Sequence, residues 1–143
     1  MKIHEATLSY RVLSEGQPTA LDEPEAVVRY MQGAFDNDPT VEWFFVVLLN
    51  RKNYPLGRTA ITKGIANSCL VHPREVFRPA ILAGASAIIC VHNHPSGITD
   101  PSRQDINVTR QLRQSGETLG IELLDHVIIG DPGYYSFKDS GFL

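Results

Sequence analysis

The stretch Val41-Glu42-Trp43-Phe44-Phe45-Val46-Val47-Leu48-Leu49 is apolar apart from one glutamate at its start. A run of this kind, without alternation, predicts a central strand covered on both faces. Ala87-Ile88-Ile89-Cys90-Val91 repeats the pattern and stops at His92-Asn93-His94, so a second buried strand ends in two histidines. Residues 121–129 predict a third strand, and Asp131-Pro132-Gly133 turns it into Tyr134-Tyr135-Ser136-Phe137. After a turn at Asn50-Arg51-Lys52-Asn53, a strand near 57–63 pairs back on the first. Residues 3–13 carry β-formers in loose alternation and predict an edge strand.

Helical signals fall between these runs. Asp22-Glu23-Pro24-Glu25 opens a helix to about Phe35, with Val27, Val28, Met31 and Phe35 inward. Pro73 opens another, with Val76, Phe77, Ala80 and Ile81 as its inward stripe and Ala83-Gly84 as its end. Pro79 within it predicts a kink or loosened first turns. A third helix opens at Ser102 and runs to about Gln114, with Ser115-Gly116 as its stop. Helices between buried strands, together with two hairpins, predict an α/β three-layer sandwich around a mixed central sheet.

Composition narrows the picture only modestly. A chain of 143 residues suits one domain, and 43% hydrophobic with 20% charged residues is ordinary for a globular protein. A net charge of -3 and a pI of 5.9 give no overall basic footprint for nucleic acid. Arg103, Arg110 and Arg113 share a helix face that reads as solvated rather than as a basic patch. Cys69 and Cys90 belong to no CxxC pair and read as reduced, buried thiols. No signal peptide or membrane-length apolar run is evident, so a cytoplasmic location without membrane attachment is expected.

The chemistry concentrates at His92-x-His94, followed by Ser102 and Asp105. Side chains two apart on a strand share a face, so the two imidazoles can converge. Asp105 stands in the first turn of the following helix, where an acid is favoured. Two imidazoles and one carboxylate leave a tetrahedral zinc one open position, as in catalytic sites; structural zinc is closed by four protein ligands. Cys90 lies on the same strand face and is a possible further thiolate, although a small buried cysteine is the better reading. Ser102 is both an N-cap and a candidate catalytic hydroxyl. Asp105 is hard pressed to cap the helix and hold a metal at once. Asn93 points away from the histidine pair and is read as structural, and Pro95-Ser96-Gly97 as shaping the loop. Asp125-His126 is either a pair that orients a ligand from behind or a plain strand-start dipeptide. His4 and His72 have no partners in the pattern.

These spacings resemble the JAMM motif of MPN+ metalloproteases, which have the JAB domain fold. His72-Pro73-Arg74-Glu75, His92-Asn93-His94-Pro95-Ser96-Gly97, Pro101-Ser102 and Leu124-Asp125-His126 are more specifically similar to the RadC-like branch, over roughly residues 40–143. The resemblance implies a JAB/MPN, cytidine-deaminase-like sandwich and one zinc ion held by His92, His94 and Asp105. It also implies a glutamate on an earlier strand that handles protons. Glu42 and Glu75 compete for that role; Glu42 is favoured because it heads an apolar strand, whereas Glu75 reads as a dipole-stabilised acid at a helix start. The implied reaction is hydrolysis of peptide or isopeptide bonds, with Ser102 donating to the developing oxyanion. Residues 1–37 are expected to form a strand-and-helix leader and residues 38–143 the core of a single domain. Fuller RadC proteins add a helix-hairpin-helix segment that this leader is too short to contain, although the family label names DNA repair. A catalytically silent MPN-like module and a metal-dependent nuclease in DNA repair or recombination are the alternatives. A zinc deaminase lacks its His-x-Glu and Pro-Cys-x-x-Cys signatures here. A non-haem iron oxygenase is disfavoured by the seven-residue gap and Ser-x-x-Asp.

Overall fold

With no polar side to offer water, Trp43-Phe44-Phe45-Val46-Val47-Leu48-Leu49 must be covered on both faces. In the computed structural model, which describes residues 1–64 and 71–143, it forms β1 (Trp43–Leu49) with every residue buried. Cys69 lies outside the described residues. The turn at Asn50–Asn53 returns the chain as β2 (Pro55–Lys63), antiparallel to β1. On the other side of β1 lies β3 (Ala87–Asn93), also antiparallel and wholly buried. Next come β4 (Glu122–Ile129), parallel to β3, and β5 (Tyr134–Ser136), antiparallel to β4. The sheet order is therefore β2-β1-β3-β4-β5, a mixed sheet as the hairpins require. A parallel pair needs a crossover, which the helix α3 (Arg103–Leu119) supplies.

Alternation along the two central strands divides the core. Phe44, Val46, Leu48, Ile88 and Cys90 pack with Val76, Phe77, Ala80, Val108 and Leu112, so α2 (Pro73–Ala83) and α3 cover that face. Phe45, Val47, Ile89 and Val91 pack with Val27 and Met31, so α1 (Pro24–Tyr30) covers the other. These are the three layers of an α/β sandwich of the JAB/MPN kind.

β4 departs from simple alternation. Ile88 pairs with Leu123, but Ile89 pairs with Asp125, so β4 carries one extra residue at Leu124. Such a bulge re-aims the side chains beyond it. Cys90 consequently faces His126 across the ladder, and the side of the sheet that carries His92 gains a second buried histidine.

Several local expectations give way. Residues 3–13 form no strand, and Ile3 and Val12 are 90% and 75% exposed. Alternation alone does not make a strand; a ladder partner is needed, and β2 remains the edge of the sheet. The first helix ends at Tyr30 rather than Phe35, since Gly33 takes φ +83° and unwinds the chain into turns. Phe35 still meets Phe45 edge-on at 5.6 Å, while Val28 is only partly buried. α2 does run through Pro79 to a left-handed cap at Gly84, the end expected of it. Ile81 is exposed rather than inward, at the lip of a groove shared with Phe77, Leu82 and Leu119. α3 runs past Ser115-Gly116 to a left-handed cap at Gly120. Gly116 is no stop signal: a Cβ there would collide with the Ile121 carbonyl, so glycine lets α3 pack close to the chain entering β4. Among the described residues, no helix is long and apolar enough to cross a membrane.

Candidate metal centre

At the carboxyl end of β3 the face toward α3 continues from Ile88 and Cys90 to His92, and His94 follows just beyond the strand. The Nδ1 atom of His94 lies 2.8 Å from the Ile98 carbonyl oxygen. A carbonyl only accepts, so Nδ1 carries a proton, and in the neutral ring Nε2 keeps its lone pair. That Nε2 is 3.0 Å from Nε2 of His92.

The third donor comes from the first turn of α3. Ser102 Oγ accepts from the Asp105 N–H at 3.0 Å, and Asp105 Oδ2 accepts from the Ser102 N–H at 2.9 Å. This reciprocal box fixes the carboxylate rotamer. The same carboxylate places Oδ1 3.3 Å from Nε2 of His92 and Oδ2 3.3 Å from Nε2 of His94. The expected conflict between capping and facing the histidines therefore does not arise: a carboxylate has about four lone-pair sites, enough for both. Burial pushes the Asp105 carboxyl up, but hydrogen bonds from His92, His94 and the Ser102 N–H outweigh it and hold it well below the usual range. His94 is raised by its hydrogen bond to Asp105, against desolvation.

One donor atom from each of His92, His94 and Asp105 lies within 4.8 Å of the others. Donors ~2.0–2.1 Å from one tetrahedral ion would stand about 3.3 Å apart. The spacings of 3.0 and 3.3 Å thus suit a single small divalent ion. Cys90 is outside this group: it is fully buried in the strand interior, and desolvation pushes its thiol far up.

Glu42 stands beside the cluster. Phe44 pairs with His92 in the antiparallel ladder, and the same register continued two residues places Glu42 opposite His94. Desolvation raises its pKa, with His92 and His94 pulling the other way. Asn93, on the opposite side of β3 from His92, accepts from the Trp43 N–H at 2.7 Å and donates to the Val41 carbonyl at 3.0 Å. It thereby grips the chain on both sides of Glu42. Glu75 is instead paired at the surface of α2 with Arg78 at 3.1 Å and Arg74 at 3.8 Å.

Behind His92 lies His126, fully buried, with Nε2 2.7 Å from Nδ1 of His92. Its own Nδ1 is 2.6 Å from Thr109 Oγ. Burial drives its pKa well down. Asp125 touches neither histidine ring. Its carboxylate accepts from the His126 N–H at 2.7 Å, the Ser136 hydroxyl at 2.6 Å and the Lys138 N–H at 3.0 Å, which fastens β4 to β5. Burial raises its pKa. His72 caps α2, accepting from the Arg74 N–H at 3.0 Å, and His4 is exposed. Arg110 stacks over Phe142, and Arg113 pairs with Glu117 and donates to the Phe142 carbonyl, so these guanidinium groups are spent on local contacts. Among the described residues, Thr109 is the member of the assembly that sequence reasoning misses. Its signal is a hydroxyl one helical turn after Asp105, on the same face.

Comparison with known proteins places this geometry. Residues 21–142 match the family model of the RadC-like JAB domain. A UPF0758 protein of Geotalea uraniireducens is 48% identical over 120 residues, covering 84% of this chain and 52% of the relative. One from Geobacter sulfurreducens is 45% identical over 120 residues, with the same coverages of 84% and 52%. Another, from Desulfitobacterium hafniense, is 56% identical over 102 residues, 71% of this chain and 45% of its own length. The chain spans about half the length of the curated relatives it matches. The aligned span takes in all three donors, the strand that presents two of them and the helix that presents the third, and the chain belongs to the RadC-like JAB domain family.

Proposed function

We propose that this chain is a zinc-dependent hydrolase of the metallopeptidase or isopeptidase type, cleaving amide bonds. The observation that carries the reading is the N2O donor set of His92, His94 and Asp105, with a desolvated Glu42 next to it. Two imidazoles and a carboxylate suit zinc, and three protein donors leave a fourth position for water or substrate. When bound, zinc would supply Lewis acidity, bringing the pKa of a water down to about 7.

The remaining work falls to the chain's own groups. Glu42, partly withdrawn from solvent, takes the proton of the attacking water and returns it to the leaving amine; its raised pKa suits both transfers. Ser102 Oγ accepts the Asp105 N–H, which leaves its own proton available to donate to the oxyanion that forms on the substrate carbonyl. Asn93 holds the backbone on either side of Glu42, keeping the carboxylate at the cluster.

The test pairs elemental analysis of purified protein with a screen of quenched peptide and isopeptide substrates, using His92→Ala as control. The expected result is about one zinc per chain and turnover that is lost on chelation and in the control. Stoichiometric zinc without turnover would favour a silent binding module. Cleavage of phosphodiesters alone would favour a nuclease. Uptake of iron with oxygen consumption would overturn the zinc assignment.

A further inference from the structure

The hydrogen bonds behind the metal cluster form a chain whose direction can be read from one end. Thr109 Oγ lies 2.6 Å from the backbone carbonyl of Asp105. A carbonyl oxygen has no proton to give, so the single hydroxyl proton of Thr109 is committed to it. Thr109 Oγ must then accept from its other neighbour, Nδ1 of His126, at 2.6 Å. The His126 ring is stacked on Phe137 and edge-on to Phe44, with Thr109 Oγ and the His92 ring as the neighbours of its two nitrogens, the setting of a neutral imidazole. With its proton on Nδ1, Nε2 of His126 can only accept, and the group 2.7 Å away is Nδ1 of His92. The proton of His92 is therefore on Nδ1. In the neutral ring its Nε2, the atom facing Asp105 and His94, is then bare.

We propose that Thr109 and His126 are positioning residues that fix the tautomer of His92, so that the lone pair of Nε2 is presented to the metal. The inference rests on the reading of the cluster as a metal centre. The chain starts at the backbone of one donor, Asp105, and ends at the ring of another, His92. One turn of α3 thus supplies a carboxylate ligand and sets the protonation pattern of an imidazole ligand. His94 reaches the same pattern independently through the Ile98 carbonyl.

Replacing Thr109 by valine removes the acceptor for Nδ1 of His126. The lower-energy arrangement then moves the His126 proton to Nε2, directed at Nδ1 of His92, and the His92 proton to its own Nε2, where a metal must bind. No proton is gained or lost overall. The experiment is long-range proton–nitrogen NMR of the histidine rings in metal-free protein, at a pH high enough for the rings to be neutral, with zinc affinity measured by competition against a chromophoric chelator. Wild type and Thr109→Ser should both hold the His92 proton on Nδ1, and their zinc affinities should agree within about threefold. Thr109→Val should move that proton to Nε2 and weaken zinc about 10- to 100-fold, the usual range for lost outer partners. His126→Phe, an apolar ring suited to the gap between Phe44 and Phe137, removes the acceptor for His92 and should lose the Nδ1 preference. It serves as the reading should the valine variant fail to fold. A folded Thr109→Val protein whose His92 still carries its proton on Nδ1 would overturn the proposal. Wild-type protein that binds no zinc would sink the metal-centre reading instead, and the ring spectra would still report on the chain of protons.

Discussion

α2 and α3 begin in the same way and come to different ends. Each has a side chain that caps from the residue before the helix, His72 or Ser102, and each has an acid at its third position, Glu75 or Asp105. The two acids part in their surroundings. Glu75 keeps 43% of its side chain in water and pairs with two arginines, whereas Asp105 keeps 5% and faces two imidazoles at 3.3 Å. An exposed pair with arginine contributes little, since solvent screens it. A buried carboxylate needs partners that compensate for its lost hydration, and His92 and His94 at the end of β3 provide them. Local sequence grammar therefore places an acid at a helix start, but the strand end which that helix faces decides what the acid can do.

The sharpest way to break this contrast is to neutralise both acids. Asp105→Asn should abolish zinc retention and all hydrolysis, whereas Glu75→Gln should leave both within about twofold, as befits a screened surface pair. Metal analysis after gel filtration checks it, and equal losses in the two variants would erase the distinction. Next comes the proton carrier. Glu42→Gln should keep its metal but lower kcat by about 10²- to 10⁴-fold. Glu42 must be ionised to accept a proton and burial raises its pKa, so the acid limb of kcat/KM should lie above the ordinary value of 4.5. Activity should fall as pH drops through that raised value, and the glutamine variant should lack this limb in its residual rate. The two capping residues give a smaller contrast. Ser102→Ala should cost about 1 kcal/mol of stability as a lost cap, and its kcat should fall by roughly 10²-fold if the hydroxyl also meets the oxyanion. His72→Ala should show only the stability loss, about 0.5 kcal/mol by denaturant titration, without a change in kcat. A Ser102→Ala enzyme of full activity would reduce that residue to a cap like its counterpart.

Much of this is legible in the amino-acid sequence. The runs at 41–49 and 87–91 have no polar face, so their burial in the middle of the sheet follows from composition alone. The period of two brings His92 and His94 together, and the spacing puts Asp105 in the first turn of the next helix; that its capping carboxylate also faces the histidines emerges only from the fold. What stayed hidden depends on pairing between distant segments. Nothing local distinguishes residues 3–13 from an edge strand, because the missing element is a partner. Gly116 reads as a helix stop until the close passage at Ile121 is known. The shift at Leu124 is invisible in the string, and without it His126 would not be placed beside His92. Thr109 is hidden for a related reason: a threonine inside a polar helix carries no mark of the histidine that reaches it from the neighbouring strand.

The division of labour along β3 has a corollary for engineering. Even-numbered His92 turns toward Asp105 and His94 while odd-numbered Asn93 manages the backbone of the adjacent strand, so the two jobs are separated only by parity. Inserting or deleting one residue between Ala87 and Val91 would exchange them, turning the imidazole toward α1 and the amide toward α3. Segments grafted into this strand must therefore change its length by two residues or not at all.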